Sequence, residues 1–137
     1  MSMKKVLVIE DDKKIATALA IRLEAVGYHV MTAPDGFSGL KLAIETRPDL
    51  IVMDIWMPVG MGFSVVQRLR SLGLEGVPII FITASKLKGL RNTAEKLGAV
   101  AFFEKPYDAD ELLAAIANGI QTTITQPQDS RATSRCS

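Results

Sequence analysis

Four short runs of apolar residues, at positions 6–9, 50–53, 79–82 and 100–103, punctuate the sequence, and each gives way to polar or charged residues. Their apolarity is nearly continuous rather than alternating. Runs of this length and character suit strands covered on both faces, as in a parallel sheet between two layers of helices. Positions 28–32 form a fifth, more polar candidate, expected nearer a sheet edge.

Helical patterns separate these runs. The first sets Ile15, Leu19, Leu23 and Val26 on one face after an Asp12 N-cap and stops at Gly27. A second follows Asp35-Gly36 and carries Leu40, Ala43 and Ile44 before Pro48, while a third holds Val65, Val66, Leu69 and Leu72 before Gly73. The fourth contains Leu87, Leu90, Ala94 and Leu97, weakened by Gly89, which costs up to about 1 kcal/mol relative to alanine in a helix interior. The fifth starts at Asp108, with Glu111 three residues on, and buries Leu112, Leu113 and Ile116. Strand and helix thus alternate five times with short connections. Right-handed crossovers then predict the α/β class, an open parallel sheet with helices on both faces. Residues 1–120 form one domain in this reading, and the polar stretch 121–137 a tail or linker stub with too little apolar content for a second core.

Composition narrows the partners. Sixteen Lys and Arg against fifteen Asp and Glu leave a formal charge of +1, so no global basic field gathers nucleic acid or anionic lipid. The single cysteine, Cys136, permits no disulfide within the chain and no thiolate metal site. No apolar run approaches the roughly 20 residues that span a bilayer, and no apolar secretion segment follows Met1 to Lys5, which makes the cytoplasm the expected location.

The chemistry lies where the strands end. Glu10, Asp11 and Asp12 follow the first run, Asp54 the third, Thr83 the fourth and Lys105 the fifth. In an open parallel sheet the crevice beyond the carboxyl ends of the strands is the ligand site, so these residues are expected to converge there. Two carboxylates about 4 Å apart at an effective dielectric near 20 repel by about 4 kcal/mol, a cost that protonation or a bound cation removes. Oxygen-only ligands favour Mg²⁺, with Asp11 and Asp54 as candidate donors. Phosphoryl transfer to an Asp54 oxygen would add charge that the metal and the Lys105 ammonium offset, with the Thr83 hydroxyl donating to a phosphoryl oxygen.

The segments VLVIEDD, IVMDIWMP, PIIFITAS and FFEKPY resemble the four motif blocks of response-regulator receiver domains, and the resemblance covers the chain from about Lys4 to Ile120. It implies a flavodoxin-like (βα)5 fold with strand order 2-1-3-4-5. It also implies Glu10 and Asp11 as the acidic pair, Asp54 as phosphoacceptor, Thr83 as switch hydroxyl, Phe102 as switch aromatic and Lys105 as phosphoryl-binding lysine. The resemblance further implies that the backbone carbonyl of Trp56 ligates Mg²⁺, that the Lys105-Pro106 bond is cis, and that a histidine kinase or phosphotransfer protein is the donor. A downstream target protein or output domain would read the result, with no direct nucleic-acid or membrane contact by this domain. Two departures stand out: Met61-Gly62 replaces the Asp-Gly frequent in the family, which predicts a flexible lead into the third helix, and bulky Trp56 lies beside the phosphoacceptor, which predicts slow loss of the phosphoryl group.

Each residue also has an ordinary explanation. Acidic residues favour a helix N-terminus, Thr83-Ala84-Ser85 suits a helix cap, and Lys105 suits exposed surface. Phe102 suits a core position, and Lys86, Lys88, Arg91 and Lys96 suit a solvated helix face as well as a docking surface for an acidic partner. His29 lies between Tyr28 and Val30 in a strand pattern and takes a structural role. Competing functions fare worse: a haloacid-dehalogenase-type phosphatase has a second Asp where Trp56 stands, and no complete nucleotide fingerprint is present. A phosphorylation-independent binding module is the remaining alternative.

Overall fold

The computed structural model describes residues 3–55, 61–86 and 88–132. Strands β1 (Lys5–Ile9), β2 (His29–Ala33), β3 (Leu50–Asp54), β4 (Ile79–Thr83) and β5 (Ala101–Glu104) alternate with helices α1 (Lys13–Ala25), α2 (Gly36–Thr46), α3 (Met61–Ser71), α4 (Leu90–Lys96) and α5 (Ala109–Ala132). All strand pairs are parallel, and the sheet order is β2-β1-β3-β4-β5. The expected α/β architecture and strand order are therefore present.

Alternation along each strand divides the core. Val6, Val8, Leu50, Val52, Ile80 and Ile82 meet Leu19 and Leu23 of α1 and Leu112, Ile116 and Ile120 of α5. Leu7, Ile9, Ile51, Met53, Ile79 and Phe81 face Ala43 of α2, Val66 and Leu69 of α3, and Leu90 and Ala94 of α4. Both faces of the central strands are buried, which is why their sequences lack a polar alternate. The register Ile9↔Met53, Met53↔Phe81 and Phe81↔Phe102 brings the carboxyl ends to one edge.

Helix starts follow their caps. Asp12 accepts from the backbone N–H of Lys14 at 2.9 Å and Ile15 at 3.2 Å, Asp35 from Ser38 at 2.7 Å, and Asp108 from Asp110 at 2.8 Å and Glu111 at 3.3 Å. Helix ends differ more from expectation. Val26, Ile44 and Leu72 are exposed, because Val26 and Leu72 lie just past the last residues of α1 and α3, and Ala43 takes the inward position beside Ile44. Gly89 does not weaken the interior of α4; it stands before its first residue with φ 88°, a left-handed conformation that starts the helix afresh and shortens it to seven residues. Leu87 lies outside the described residues. The backbone of α5 runs on to Ala132, eleven residues beyond the point where the polar tail was expected to begin. Met61 and Gly62 already belong to α3, while the preceding residues of PVGMGF lie outside the described set.

Candidate functional site

Backbone ladder bonds carry the sheet one residue past its formal ends and so orient the side chains there. Glu10 donates its N–H to Ala33 O at 2.9 Å, Ile55 to Ile82 O at 2.7 Å and Lys105 to Thr83 O at 2.8 Å. Glu10, Asp54 and Lys105 meet as a result. The Lys105 Nζ lies 2.9 Å from Asp54 Oδ2 and 3.1 Å from Glu10 Oε1. The Lys105-Pro106 peptide is cis. Glu10 is held from its other side as well, its Oε2 accepting from Asp12 N–H at 3.1 Å.

Asp11 completes an acidic group: one carboxylate oxygen each from Glu10, Asp11 and Asp54 lie within 4.8 Å of one another. Burial pushes the Glu10 carboxyl above its ordinary range, and the neighbouring Asp54 carboxylate adds to the shift. Burial alone would lower the Lys105 ammonium, but its hydrogen bonds to Asp54 and Glu10 outweigh that cost and the net shift is upward. One ammonium thus touches two of three clustered carboxylates, and the crowding favours a further cation. Asp54 Oδ1 is buried and has no hydrogen-bond partner among the described residues. A buried oxygen left without a donor costs about 1–3 kcal/mol, a cost that a hard cation would relieve. The oxygen-only donor set and this bare oxygen fit Mg²⁺.

Two expected switch residues sit nearby in defined states. Thr83 is fully buried; its Oγ1 donates to Ile55 O at 2.5 Å and accepts from Ser85 N–H at 2.9 Å. The hydroxyl is thus tied to the backbone following β3 and β4. Phe102 is 8% exposed, packed in the core under α4, with the Arg91 guanidinium 4.9 Å above its ring centroid. Among the other basic residues near α4, Lys86 lies 3.7 Å from Glu104 in an exposed pair. His29 is exposed on the outermost strand, opposite Lys5. Trp56, expected to contribute its carbonyl and cover the site, lies outside the described residues.

The expected crevice is a cavity of about 400 Å³ that opens on Glu10, Asp11 and Asp54, but the residues that wall its outer side, among them Pro34, Phe37, Val65 and Arg68, carry no signal in the sequence. Phe37 is 83% exposed although it follows a cap and resembles a core residue in pattern. The stacking of Arg91 on Phe102 was equally hidden. A basic helix residue ten positions before a strand carries no pairwise signal.

No helix among the described residues is long and apolar enough to cross a membrane. A family profile described as response regulator receiver domain matches residues 6–117. The transcriptional regulatory protein DltR of Streptococcus agalactiae is 43% identical over 112 residues, covering 82% of this chain and 50% of that protein. The DNA-binding dual master transcriptional regulator RpaA of Synechocystis is 36% identical over 132 residues, covering 92% of this chain and 53% of that one. The chain spans about half the length of these curated relatives. Among solved structures, chemotaxis protein CheY4 of Vibrio cholerae superposes with a TM-score of 0.77 at 30% identity, over 85% of this chain and 98% of that chain. With a profile match spanning most of the chain and a strand order to match, the chain belongs to the response regulator receiver domain family.

Proposed function

We propose that this receiver domain accepts a phosphoryl group on Asp54 from a phosphohistidine of a histidine kinase or phosphotransfer protein, in a Mg²⁺-dependent reaction. The observation that carries the reading is the Asp54 carboxylate itself, with one oxygen on the Lys105 ammonium and the other buried without a donor beside Glu10 and Asp11. An Asp54 oxygen forms the new P–O bond as the P–N bond to the donor imidazole breaks, and the imidazole leaves as the neutral ring after taking a proton from solvent. Lys105 offsets negative charge on the transferred group, and Glu10, Asp11 and Asp54, with the Trp56 carbonyl, would hold the metal. Bound Mg²⁺ supplies charge neutralisation and orientation for the phosphoryl oxygens.

The signal then leaves through the side of the sheet built by α4, β5 and α5. Release of the Thr83 hydroxyl from Ile55 O toward a phosphoryl oxygen, with Phe102 as the aromatic partner of that movement, shifts the populations of this face. The reader is a downstream target protein or an output domain. The matched region is about half of each related transcriptional regulator, which favours an output domain or partner outside this receiver, and no direct nucleic-acid or membrane contact is assigned to it. The proposed location is the cytoplasm.

Incubation with acetyl phosphate and Mg²⁺, followed by intact mass measurement, tests the acceptor. A phosphoryl-sized gain in the wild type that is absent from Asp54→Ala and from chelator-treated protein is the expected result. No gain from acetyl phosphate or from phosphorylated histidine kinases would overturn the reading and leave a phosphorylation-independent binding module.

A further inference from the structure

Local determinants hold α4 weakly. It has seven residues, follows a left-handed Gly89 that offers no side-chain cap, and is far shorter than a helix that is stable alone. Its position therefore depends on tertiary contacts. Leu90 and Ala94 pack inward, and at the C-terminal end the Arg70 guanidinium donates to Leu97 O at 3.1 Å while also holding Glu75 O at 3.1 Å and Val77 O at 3.3 Å. Near the N-terminal end the ties run to β5 instead. Lys86 meets Glu104 at 3.7 Å, but both side chains are more than half exposed, so the pair contributes little. The other tie is Arg91, whose guanidinium lies over the Phe102 ring.

We infer that Arg91 is a positioning residue that holds the Phe102 ring in its buried place in the unmodified protein, so that the α4–β5 face is already biased before Asp54 reacts. Three observations converge on this. The ring is 8% exposed while Arg91 is itself solvent-exposed, so the guanidinium closes the ring off from water rather than filling the core. The parallel register sets Phe102 opposite Phe81 and Glu104 opposite Thr83, so the ring occupies the same sheet face as the Thr83 hydroxyl, one pleat away. Finally, the Thr83 hydroxyl is engaged by Ile55 O and Ser85 N–H, so the buried ring coexists with a Thr83 bonded to backbone. A cation over an aromatic face at a partly exposed site shifts a two-position equilibrium by about 2- to 5-fold toward the covered position. The consequence for signalling rests on the phosphoacceptor reading above; the latch itself does not.

The experiment is fluorine NMR on the full chain with 4-fluorophenylalanine at its five phenylalanines, the Phe102 resonance being assigned by its loss in Phe102→Leu. Wild type is expected to show a Phe102 resonance with little solvent isotope shift. Arg91→Gln keeps length but removes the cation and should bring about a 2- to 5-fold rise in a solvent-exposed population, which Arg91→Lys reverses in part. Addition of acetyl phosphate and Mg²⁺ to Arg91→Gln should drive the ring back to the buried resonance. An unchanged Phe102 resonance in folded Arg91→Gln, verified by its thermal melt, would overturn the latch. So would an equal loss of stability from Arg91→Gln in the wild-type and Phe102→Leu backgrounds, which would show that the two side chains are uncoupled. Failure of the wild type to label at Asp54 would sink the phosphoacceptor reading and leave the fluorine result standing as the test of the latch.

Discussion

The Lys105 ammonium sits 2.9 Å from Oδ2 of Asp54, while Oδ1 of the same carboxylate is buried with no hydrogen-bond partner among the described residues. One residue therefore has one satisfied oxygen and one bare oxygen, and the asymmetry defines where a cation or phosphoryl group is needed. It also makes Lys105 the only cation among the described residues that pairs with the two buried carboxylates Glu10 and Asp54.

Lys105→Met should accordingly destabilise the protein at pH 7 by about 3 kcal/mol, the low end for a buried pair broken on one side, because the ammonium is itself partly exposed. The sign of the pH dependence follows from Glu10. Its folded pKa is raised above the ordinary 4.5, so the native state binds the proton more tightly than the unfolded chain. The Lys105 hydrogen bond works against that rise, so its loss in Lys105→Met makes the native state bind the Glu10 proton more tightly still, and stability relative to the wild type should recover as pH falls toward 4.5. Lys105 is also raised, so in the wild type its contribution is complete at pH 7 and fades only above its ordinary 10.5. Urea unfolding of both proteins between pH 7 and pH 4.5 measures the difference; a constant gap would contradict it.

Mg²⁺ should stabilise the folded chain directly. At ten times the dissociation constant, binding to the native state alone adds about 1.4 kcal/mol. For a chain of this size that corresponds to a rise of about 4–6 °C in Tm. Asp11→Asn is the informative variant, because Asp11 is exposed and its removal should alter metal-free stability by no more than about 0.5 kcal/mol. Thermal melts with and without Mg²⁺ should show the shift in wild type and a much smaller one in Asp11→Asn. Equal shifts in the two proteins would remove Asp11 from the metal group.

Convergence at this edge was legible because it depends on backbone topology alone. The runs ending before Glu10, Asp54, Thr83 and Lys105 are apolar on both faces, so a parallel sheet follows, and its carboxyl ends must share an edge. What lay beyond reading depends on rotamers and on helix ends. Thr83 reaches the edge as expected, yet its bond to Ile55 O is a matter of χ1 and of the path of the chain after β3. Gly89 reads as a weak helix interior residue in the sequence, and only its positive φ shows that it separates α4 from the preceding turn. Val26 and Ile44 follow the apolar period but lie where the helix stops or where a smaller neighbour takes the contact. Arg91 and Phe37 owe their surroundings to packing between elements, which local pattern does not encode.

Gly39 shows how closely the helix layer presses on the site. A Cβ added there would lie 2.4 Å from Ile9 Cδ1 and 2.7 Å from its Cγ1, and Ile9 is buried immediately before Glu10. Helix propensity favours alanine over glycine by about 1 kcal/mol, but overpacking a filled core costs about 1–3 kcal/mol. Gly39→Ala should therefore be destabilising by about 1 kcal/mol, with the displaced Ile9 also weakening Mg²⁺ binding through Glu10. Urea unfolding and a Mg²⁺ titration check the two effects separately. A stabilised variant would mean that Ile9 changes rotamer freely.

The cap of α2 provides the cleanest acid-range test, because the Asp35 shift comes chiefly from its own cap bonds to Ser38. The backbone N–H of Ser38 donates to it at 2.7 Å, and this bond, with the Ser38 hydroxyl, holds its carboxyl below the ordinary 3.8. A depressed carboxylate contributes stability that is fully present above its unfolded pKa and is lost as pH falls through the folded one. Asp35→Ala should cost about 1 kcal/mol at pH 6, the usual worth of an N-cap. That difference should shrink below pH 3.8, as the wild-type carboxylate takes up its proton and loses its charged hydrogen bond. Asp35→Asn keeps a capping oxygen without the charge, so its stability should remain close to the wild type at pH 6 and show no change attributable to this position in acid. Parallel urea titrations of the three proteins from pH 6 to pH 2.5 decide the matter. If the Asp35→Ala deficit persists unchanged to pH 2.5, the cap acts through its oxygen geometry and its ionisation contributes nothing to the fold.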